Sequence, residues 1–444
     1  MSFNIALSGL NAVSEGLNTI SNNIANVSTT GFKSSRTEFG SIYSDSQAMG
    51  VQVIGTTQSI TQGGPVTPTG RSMDLAIAGG GFFVTKSSTG ETNYTRAGVF
   101  GTDKENFIVS ATGQKLQGFP VDAKNALQVG SVSDLQLQKG NLAATATDTL
   151  NFVANLNAND DVPSLTPFDP TKADSYNSTY TSKVFDSQGK EHTLTQYFVK
   201  TATDNTWNAY YYMNGAAVSA VSVDGTATPT TPTTPPAAPA LPSAVVLEFN
   251  ESGHMTSPYD YARVLANDPN DAPQHKPINI LTSAANLGGG VNDLNIEINY
   301  GGNGISGATQ FGSSFLVGTN APNGYTSGEQ TGIAIEKNGM VYATYSNGQR
   351  QLQGQVILAS FANAGGLANE NGTTWKETSK SGGALVGVPG VGPFGAVTAG
   401  SLESSNVDLT QQLVNLMEGQ RNYQANTKVL STNKELTQVL FSSI

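Results

Sequence analysis

Cysteine is absent from the 444-residue chain, which removes disulfide scaffolds, thiol nucleophiles and cysteine-ligated zinc together. Charge is scarce as well, with Asp, Glu, Lys and Arg at 12% of residues, about half the usual share. Most of it is acidic: 33 carboxylates against 22 Lys and Arg give a net charge of −11. With no basic run to neutralise a string of phosphates, the chain is not expected to bind nucleic acid. Only His192, His254 and His275 are present. None is paired at a metal-ligand spacing, and each is expected to be a solvated strand or loop residue, not a catalyst. Gly79-Gly80-Gly81 lacks the dinucleotide-binding spacing and no phosphate-loop motif occurs, so a tight strand turn explains the glycines better. Asn267-Asp268 and Asn270-Asp271 miss the EF-hand pattern and read as ordinary turns. The expectation is a non-enzyme without cofactor or metal.

Long apolar runs are also missing. The longest uncharged, apolar-looking stretch, Ala384 to Gly400, carries Pro389, Pro393 and five Gly, so membrane insertion is not expected. The first basic residue is Lys33, which leaves no positive region ahead of an apolar segment and makes a conventional cleaved secretory signal unexpected.

What the chain does have is a matched pair of ends. Leu10, Val13, Leu17, Ile20, Ile24 and Val27 are spaced 3, 4, 3, 4, 3, the interval of a coiled-coil seam. Near the other end Leu409, Leu413, Leu416, Tyr423 and Leu430 keep one seven-residue frame, interrupted by Gln420 and Thr427, with Leu436 in a shifted phase. One narrow seam is a modest return for ordering a helix of this length. Both ends are therefore expected to be poorly ordered in the isolated chain and helical once many copies surround one another.

The polar faces of these helices carry amides in place of charges. Residues 1–32 hold one ionisable side chain, Glu15, while Asn4, Asn11 and Asn18 repeat every seven residues, joined by Asn22 and Asn26. Asn415 and Asn422, then Asn426 and Asn433, repeat likewise at the C-terminal end. Two explanations stand: a weakly solvated face with capping and turn residues, or a surface buried against polar helices or lining a neutral aqueous channel. Between Gly40 and Gly400 the pattern changes to short alternating runs with Gly and Asn-Gly turns, as in β domains. Strands are signalled at Thr193 to Lys200, Trp207 to Met213, Ala244 to Asn250 and Leu294 to Tyr300, and residues 225–243, with six Pro, read as an extended surface loop.

The stretches LSGLNAVSEGLNTISNNIANVSTTGFK (7–33) and SNVDLTQQLVNLMEGQRNYQANTKVLSTNKEL (405–436) resemble the paired terminal signatures of the axial proteins of the bacterial flagellum, a family of rod, hook and hook-filament junction proteins. Residues 74–118 and 332–354 are similar to the family's β domain, with Leu116-Gln117-Gly118 echoed in Leu352-Gln353-Gly354. The length and the extra middle module resemble the members that build the hook. The resemblance implies an α+β chain whose terminal α-helices form a coiled-coil inner layer in the polymer, with mainly β outer domains inserted between them. The implied division is 1–30 with 405–444 as helical inner domain, 31–70 and 365–404 as connectors, 71–149 with 323–364 as β domain, and 150–322 as inserted outer β domain. It further implies a structural subunit of the flagellar hook, on the cell exterior, polymerising into a hollow flexible tube. Its partners would be copies of itself, the distal rod protein, the hook cap, the junction proteins and the type III export apparatus. The two seams would be the polymer interface, and Asn4, Asn11, Asn18 and Asn22 are candidate channel-lining residues. A distal-rod or junction role is the nearest alternative; a secreted carbohydrate-binding or glycosidase β protein would need a carboxylate pair and leaves the helical ends unexplained. A fragment of about residues 70–365 is expected to fold alone as a monomeric β protein.

Overall fold

The computed structural model describes residues 2–44, 47–122, 125–223, 244–258, 278–301, 307–371 and 373–442. The proline-rich stretch, the Asn-Asp pairs at 267–271 and His275 lie outside them. Two helices bracket a mainly β chain: α1, Ser2–Ala25, and α2, Leu409–Ser442. α1 contains no Pro and closes where the Asn26 side chain folds back on the Asn22 carbonyl at 3.0 Å, so Val27, the last residue of the expected seam, sits in the following turn. α2 opens on Asp408, whose Oδ1 accepts the Gln411 N–H at 3.1 Å, satisfying one of the otherwise unpaired first-turn donors.

The chain forms two compact units, Met1–Gly140 with Gln330–Ile444, and Asn141–Glu329. In the first, residues 31–70, expected as a connector, contain a long antiparallel hairpin of β1, Ser35–Ser44, and β2, Gln47–Gln58. The hairpin lies along α1. Asn23 is buried and grips the edge of β1 twice, donating to the Ser35 carbonyl at 2.7 Å and accepting its N–H at 2.9 Å. Further along, the Thr19 and Thr37 hydroxyls are 2.7 Å apart, Phe39 covers Gly16, and Ser8 accepts the Val51 N–H at 3.3 Å. The terminal helices are thus formed in the single chain. The hairpin supplies the additional contact surface that a single narrow seam lacks.

The β body of this unit is an antiparallel sheet buried on both faces. Successive residues along a strand point to opposite sides, and Phe82 and Val84 join one apolar cluster with Tyr94, Ile357 and Trp375 while Phe83 joins another with Leu75, Phe100, Leu116, Val356 and Leu358. Asn338-Gly339 and Asn347-Gly348 form hairpin turns in which the glycine takes φ of 81° and 79° and donates to the carbonyl three residues back. The Leu-Gln-Gly echo has a structural meaning. Strands β3, Lys115–Pro120, and β4, Arg350–Val356, pair antiparallel, with Val356 opposite Gly118 and Gly354 opposite Pro120. A Cβ on Gly118 or Gly354 would stand 2.6 or 2.8 Å from the buried Leu135 side chain. Gln117 holds Asp134 at 2.8 Å and Gln353 accepts the Gln138 N–H at 2.8 Å, so the echoed residues seat one segment from both sides.

The second unit is a two-sheet sandwich around one core that includes Leu150, Phe152, Phe198, Trp207, Tyr211 and Ile296. Thr149–Asn157 alternates half-buried and buried residues along its length, the period-2 signature of a strand packed on one side. The signalled strands are present as Glu191–Lys200, Thr206–Met213, Val245–Phe249 and Leu294–Asn299. The unit begins before residue 150 and ends after 322 because Leu142 bridges Gly328 and Thr145 bridges Tyr325. Large buried side chains pair their polar atoms: Trp207 donates to Gln310 at 3.1 Å, and Tyr300 donates to Gln196 at 2.6 Å and meets Tyr211 at 2.9 Å. Burial raises both tyrosine hydroxyls above their ordinary pKa. His192 overturns the expectation of a solvated histidine: it is buried, with Nε2 2.9 Å from Asp186 and Nδ1 2.8 Å from the Asn214 amide. It falls on the inward phase of its strand, where only a fully partnered imidazole is tolerated. His254 is half-buried beside Phe311.

Residues 365–404, also expected as a connector, belong to the first unit's β body. Trp375 is fully buried, Ala396–Ala399 pairs with Leu75–Ala78, and Ser401–Glu403 pairs with Val66–Pro68. A fragment ending at residue 365 therefore lacks core strands. Losing Trp375 alone should cost about 3–5 kcal/mol. In thermal unfolding followed by circular dichroism, residues 66–403 should melt cooperatively and residues 70–365 should not; equal, cooperative melting of both would contradict this assignment.

Candidate functional site

The roots of both helices meet in a buried ionic knot. Lys33, eight residues past α1, donates to Glu403 Oε1 at 2.5 Å and to the Gln62 carbonyl at 2.7 Å. Arg96 donates through one nitrogen to Glu403 Oε2 at 3.0 Å and through the other to the Gly79 carbonyl at 2.8 Å. The Gly64 N–H reaches Glu403 Oε1 at 3.0 Å, and the Gly31 N–H reaches the Glu403 carbonyl at 2.8 Å. Side-chain exposures of 0% for Lys33, 3% for Arg96 and 1% for Glu403 put the whole group out of water. Asn406 adds two 3.0 Å bonds to the Ser59 and Gln62 carbonyls and accepts the Ser34 N–H at 2.7 Å. Burial alone would raise the Glu403 carboxyl, but the Arg96 charge and the bonds from Lys33 and Gly64 outweigh it and hold the group below the usual carboxylate range.

From this knot α1 and α2 run antiparallel. Asn23 bonds Gln412 at 3.2 Å, Leu17 lies against Gly419, and Gly9 faces the Asn426 side chain, so rising numbers on one helix meet falling numbers on the other. The face that α2 turns to α1 is small and polar. Its leucine frame is not there: Leu409, Leu413 and Tyr423 are 42%, 45% and 39% exposed, and Leu416 and Leu430 are half-buried. On α1, Leu10, Val13, Leu17, Ile20 and Ile24 are half-buried, as is Val27 beyond it. The structure thus does not bring the two seams together as one closed interface. The reason lies in the spacing, since Gln412, Gly419 and Asn426 also recur every seven residues and form the face that meets α1 within the chain.

The asparagines divide in the same way. Asn4, Asn11, Asn18 and Asn22 on α1 are exposed, whereas Asn415, Asn422 and Asn426 on α2 border the clefts beside α1. Reading the sequence missed the Lys33–Glu403–Arg96 knot. The available signal was that Lys33 is the first basic residue after a nearly uncharged stretch. Among the described residues no group of three or more His, Cys, Asp or Glu could hold a metal ion, and no helix is long and apolar enough to cross a membrane.

Helices that stand on a buried knot, expose heptad-spaced apolar residues and carry β domains between them define a subunit built for assembly. Four family models match in chain order: Flagella basal body rod protein at 3–33, Flagellar hook protein FlgE/F/G D1 domain at 76–148, Flagellar basal body protein FlaE D2 domain at 155–325, and Flagellar basal body rod FlgEFG protein C-terminal at 398–442. The chain is 38% identical over 444 residues to the flagellar hook protein FlgE of Salmonella typhimurium and 37% identical over 443 residues to that of Escherichia coli, each alignment covering 99% of both chains. It is 30% identical over 444 residues to that of Treponema pallidum, covering 93% of each. In fold it is similar to the crystal structure of Helicobacter pylori flagellar hook protein FlgE2, with a TM-score of 0.50, 14% identity, and coverage of 76% of this chain and 100% of that one. The chain belongs to the flagellar hook protein family. It is a structural subunit of the flagellar hook of the basal body.

Glu403 sets the acid limit of the knot. Its folded pKa is depressed, so the stability it contributes is present at neutral pH and is lost as pH falls below about 4.5 toward the folded value. Glu403→Gln should cost about 3–5 kcal/mol at pH 7, because it leaves two buried cations short of a counter-charge, and should flatten the loss of stability between pH 5 and 3. Urea unfolding of both proteins at those pH values checks this; a variant that keeps the wild-type acid dependence would show that another carboxylate is responsible.

Proposed function

We propose that this subunit polymerises through its terminal helices into a hollow, bendable tube joining the motor's rod to its filament. The exposure of heptad-spaced Leu409, Leu413 and Tyr423 on a helix already paired with α1 carries this reading, since apolar frames of that kind are stable only when covered. In the tube, Leu10, Val13, Leu17, Ile20, Ile24 and Val27 of one end and Leu409, Leu413, Leu416, Tyr423 and Leu430 of the other form a coiled-coil inner layer. The β units form outer layers whose small polar contacts exchange as the curved tube turns about its axis. The role is mechanical, without catalysis. The partners are further copies of the chain, the distal rod, the hook cap, the junction proteins and the type III export apparatus. Electron microscopy of concentrated purified protein should show curved hollow tubes, and Leu17→Asp or Ile24→Asp should abolish them by placing a charge in a dry seam, at several kcal/mol per subunit. Straight rods, or normal tubes from either variant, would contradict the reading.

Asn4, Asn11, Asn18 and Asn22 border the central channel in this scheme. Neutral amides keep their hydration and hold neither charged nor apolar stretches of a passing chain. Asn11→Lys and Asn18→Lys should then still build hooks but slow filament growth, measured separately in cells. Normal filaments on normal hooks would remove these residues from the channel, and absence of hooks would place them between helices.

A further inference from the structure

The hairpin meets the β body at a second place, through residues that the ionic knot does not use. Trp375 is fully buried in the strand Thr374–Lys376, packed edge to face with Phe82 at a centroid distance of 5.7 Å. Its indole Nε1 donates to Oε1 of Gln58, the last residue of β2, at 2.9 Å. Gln58 stands opposite Ser35 in the hairpin register and donates to its hydroxyl at 3.3 Å. Ser35 is the residue whose backbone Asn23 grips from α1, and Asn23 also reaches Gln412 on α2. One unbroken chain of bonds therefore runs from both helices, through the hairpin, to the core of the β body. Beside it, Ile60 is buried in the apolar cluster that holds Trp375.

We propose that Trp375 is a positioning residue: its N–H, held by a buried ring, sets the angle at which the helices and hairpin leave the β body, and its bond to Gln58 is the joint that opens when that angle changes. The two attachments differ in kind. The knot is charge-assisted, buried and gathered on one carboxylate, so it holds as a pivot. The Trp375–Gln58 bond is a single neutral bond whose acceptor side chain is half-buried, so water can replace it at a modest net cost. The contact of Ile60 is apolar and non-directional, and it tolerates sliding where the N–H bond does not. A pivot with one directional stop has a defined angle that it can leave without unfolding. The part played in bending rests on the tube reading, because subunits on the inner and outer sides of a curved tube cannot share one geometry. The effect of the bond on the angle in a single chain does not.

Because the chain has no cysteine, spin labels can be placed at Gln52→Cys in β2 and Lys104→Cys in the β body, both exposed positions. Pulsed electron paramagnetic resonance on the dilute full-length protein then reads the angle as a distance distribution, which should be narrow in the parent. Trp375→Phe keeps a ring but removes the donor and should broaden and shift the distribution. Gln58→Met, on the accepting side, should do the same, while Gln58→Glu still accepts the N–H and should keep the distribution narrow. Circular dichroism first establishes that each variant melts cooperatively; where Trp375→Phe does not, the two Gln58 variants carry the test. In electron microscopy, Trp375→Phe and Gln58→Met should still form tubes, with altered curvature. A parent-like distribution without the bond, or Gln58→Glu as broad as Gln58→Met, would overturn the positioning role. Altered distributions with tubes of wild-type curvature would overturn its part in bending. A wild-type chain that forms no tubes would overturn the tube reading, while the distance measurement still decides the role of Trp375 in the single chain.

Discussion

The carboxylate of Glu403 sits where every segment between the helices and the β body crosses. Lys33 follows α1, Gln62 and Gly64 follow the hairpin, Arg96 belongs to the β body, and Glu403 precedes α2; the buried anion gathers Lys33, Gly64 and Arg96, and Lys33 in turn holds the Gln62 carbonyl. An ion pair out of water is weak grounds for overall stability, because desolvation offsets much of the attraction. Its geometric consequence is stronger. Residues distant in sequence are brought to one point with bonds of 2.5–3.0 Å, which sets the end of α1 beside the start of α2.

Given that origin, the contacts along α1 follow in order: Asn23 with Gln412 and Ser35, Thr19 with Thr37, Leu17 with Gly419, Gly16 with Phe39, and Gly9 with Asn426. These pairs are mostly small or polar. They set register without consuming Leu409, Leu413 and Tyr423 of α2, which remain exposed. Under the proposed assembly this division lets contacts within the chain hold while contacts between chains form one subunit at a time.

The helical ends and their bracketing of a β interior were legible because periodicity is a one-dimensional signal: the 3–4 spacing of Leu10 to Ile24, the strand signals at Thr193 to Lys200 and Trp207 to Met213, and the Asn-Gly turns at 338 and 347. The family was legible from the terminal signatures. Three things were not. The hairpin at 35–58 reads as a connector because its strands are rich in Ser, Thr, Gln and Gly and pack on a helix instead of a core. The glycine-rich 382–400 stretch pairs through backbone, so its side chains gave little sign that Ala396–Ala399 completes a sheet. The knot depends on Lys33 and Glu403 meeting across 370 positions, which no local pattern encodes. Two overlapping heptads on α2, one leucine-rich and one of Gln412, Gly419 and Asn426, also left open which face serves the chain and which serves its neighbours.

Amide hydrogen exchange, compared between dilute monomer and assembled tubes, tests the central claim that a preformed knot presents surfaces completed only by other copies. The Gly31 and Gly64 amides, both bonded to Glu403, should be slow to exchange in the monomer and change little on assembly, while α1 and α2, already helical in the monomer, gain further protection in the tube. Fast exchange at Gly31 and Gly64 in the monomer, or helices as protected there as in the tube, would contradict the account.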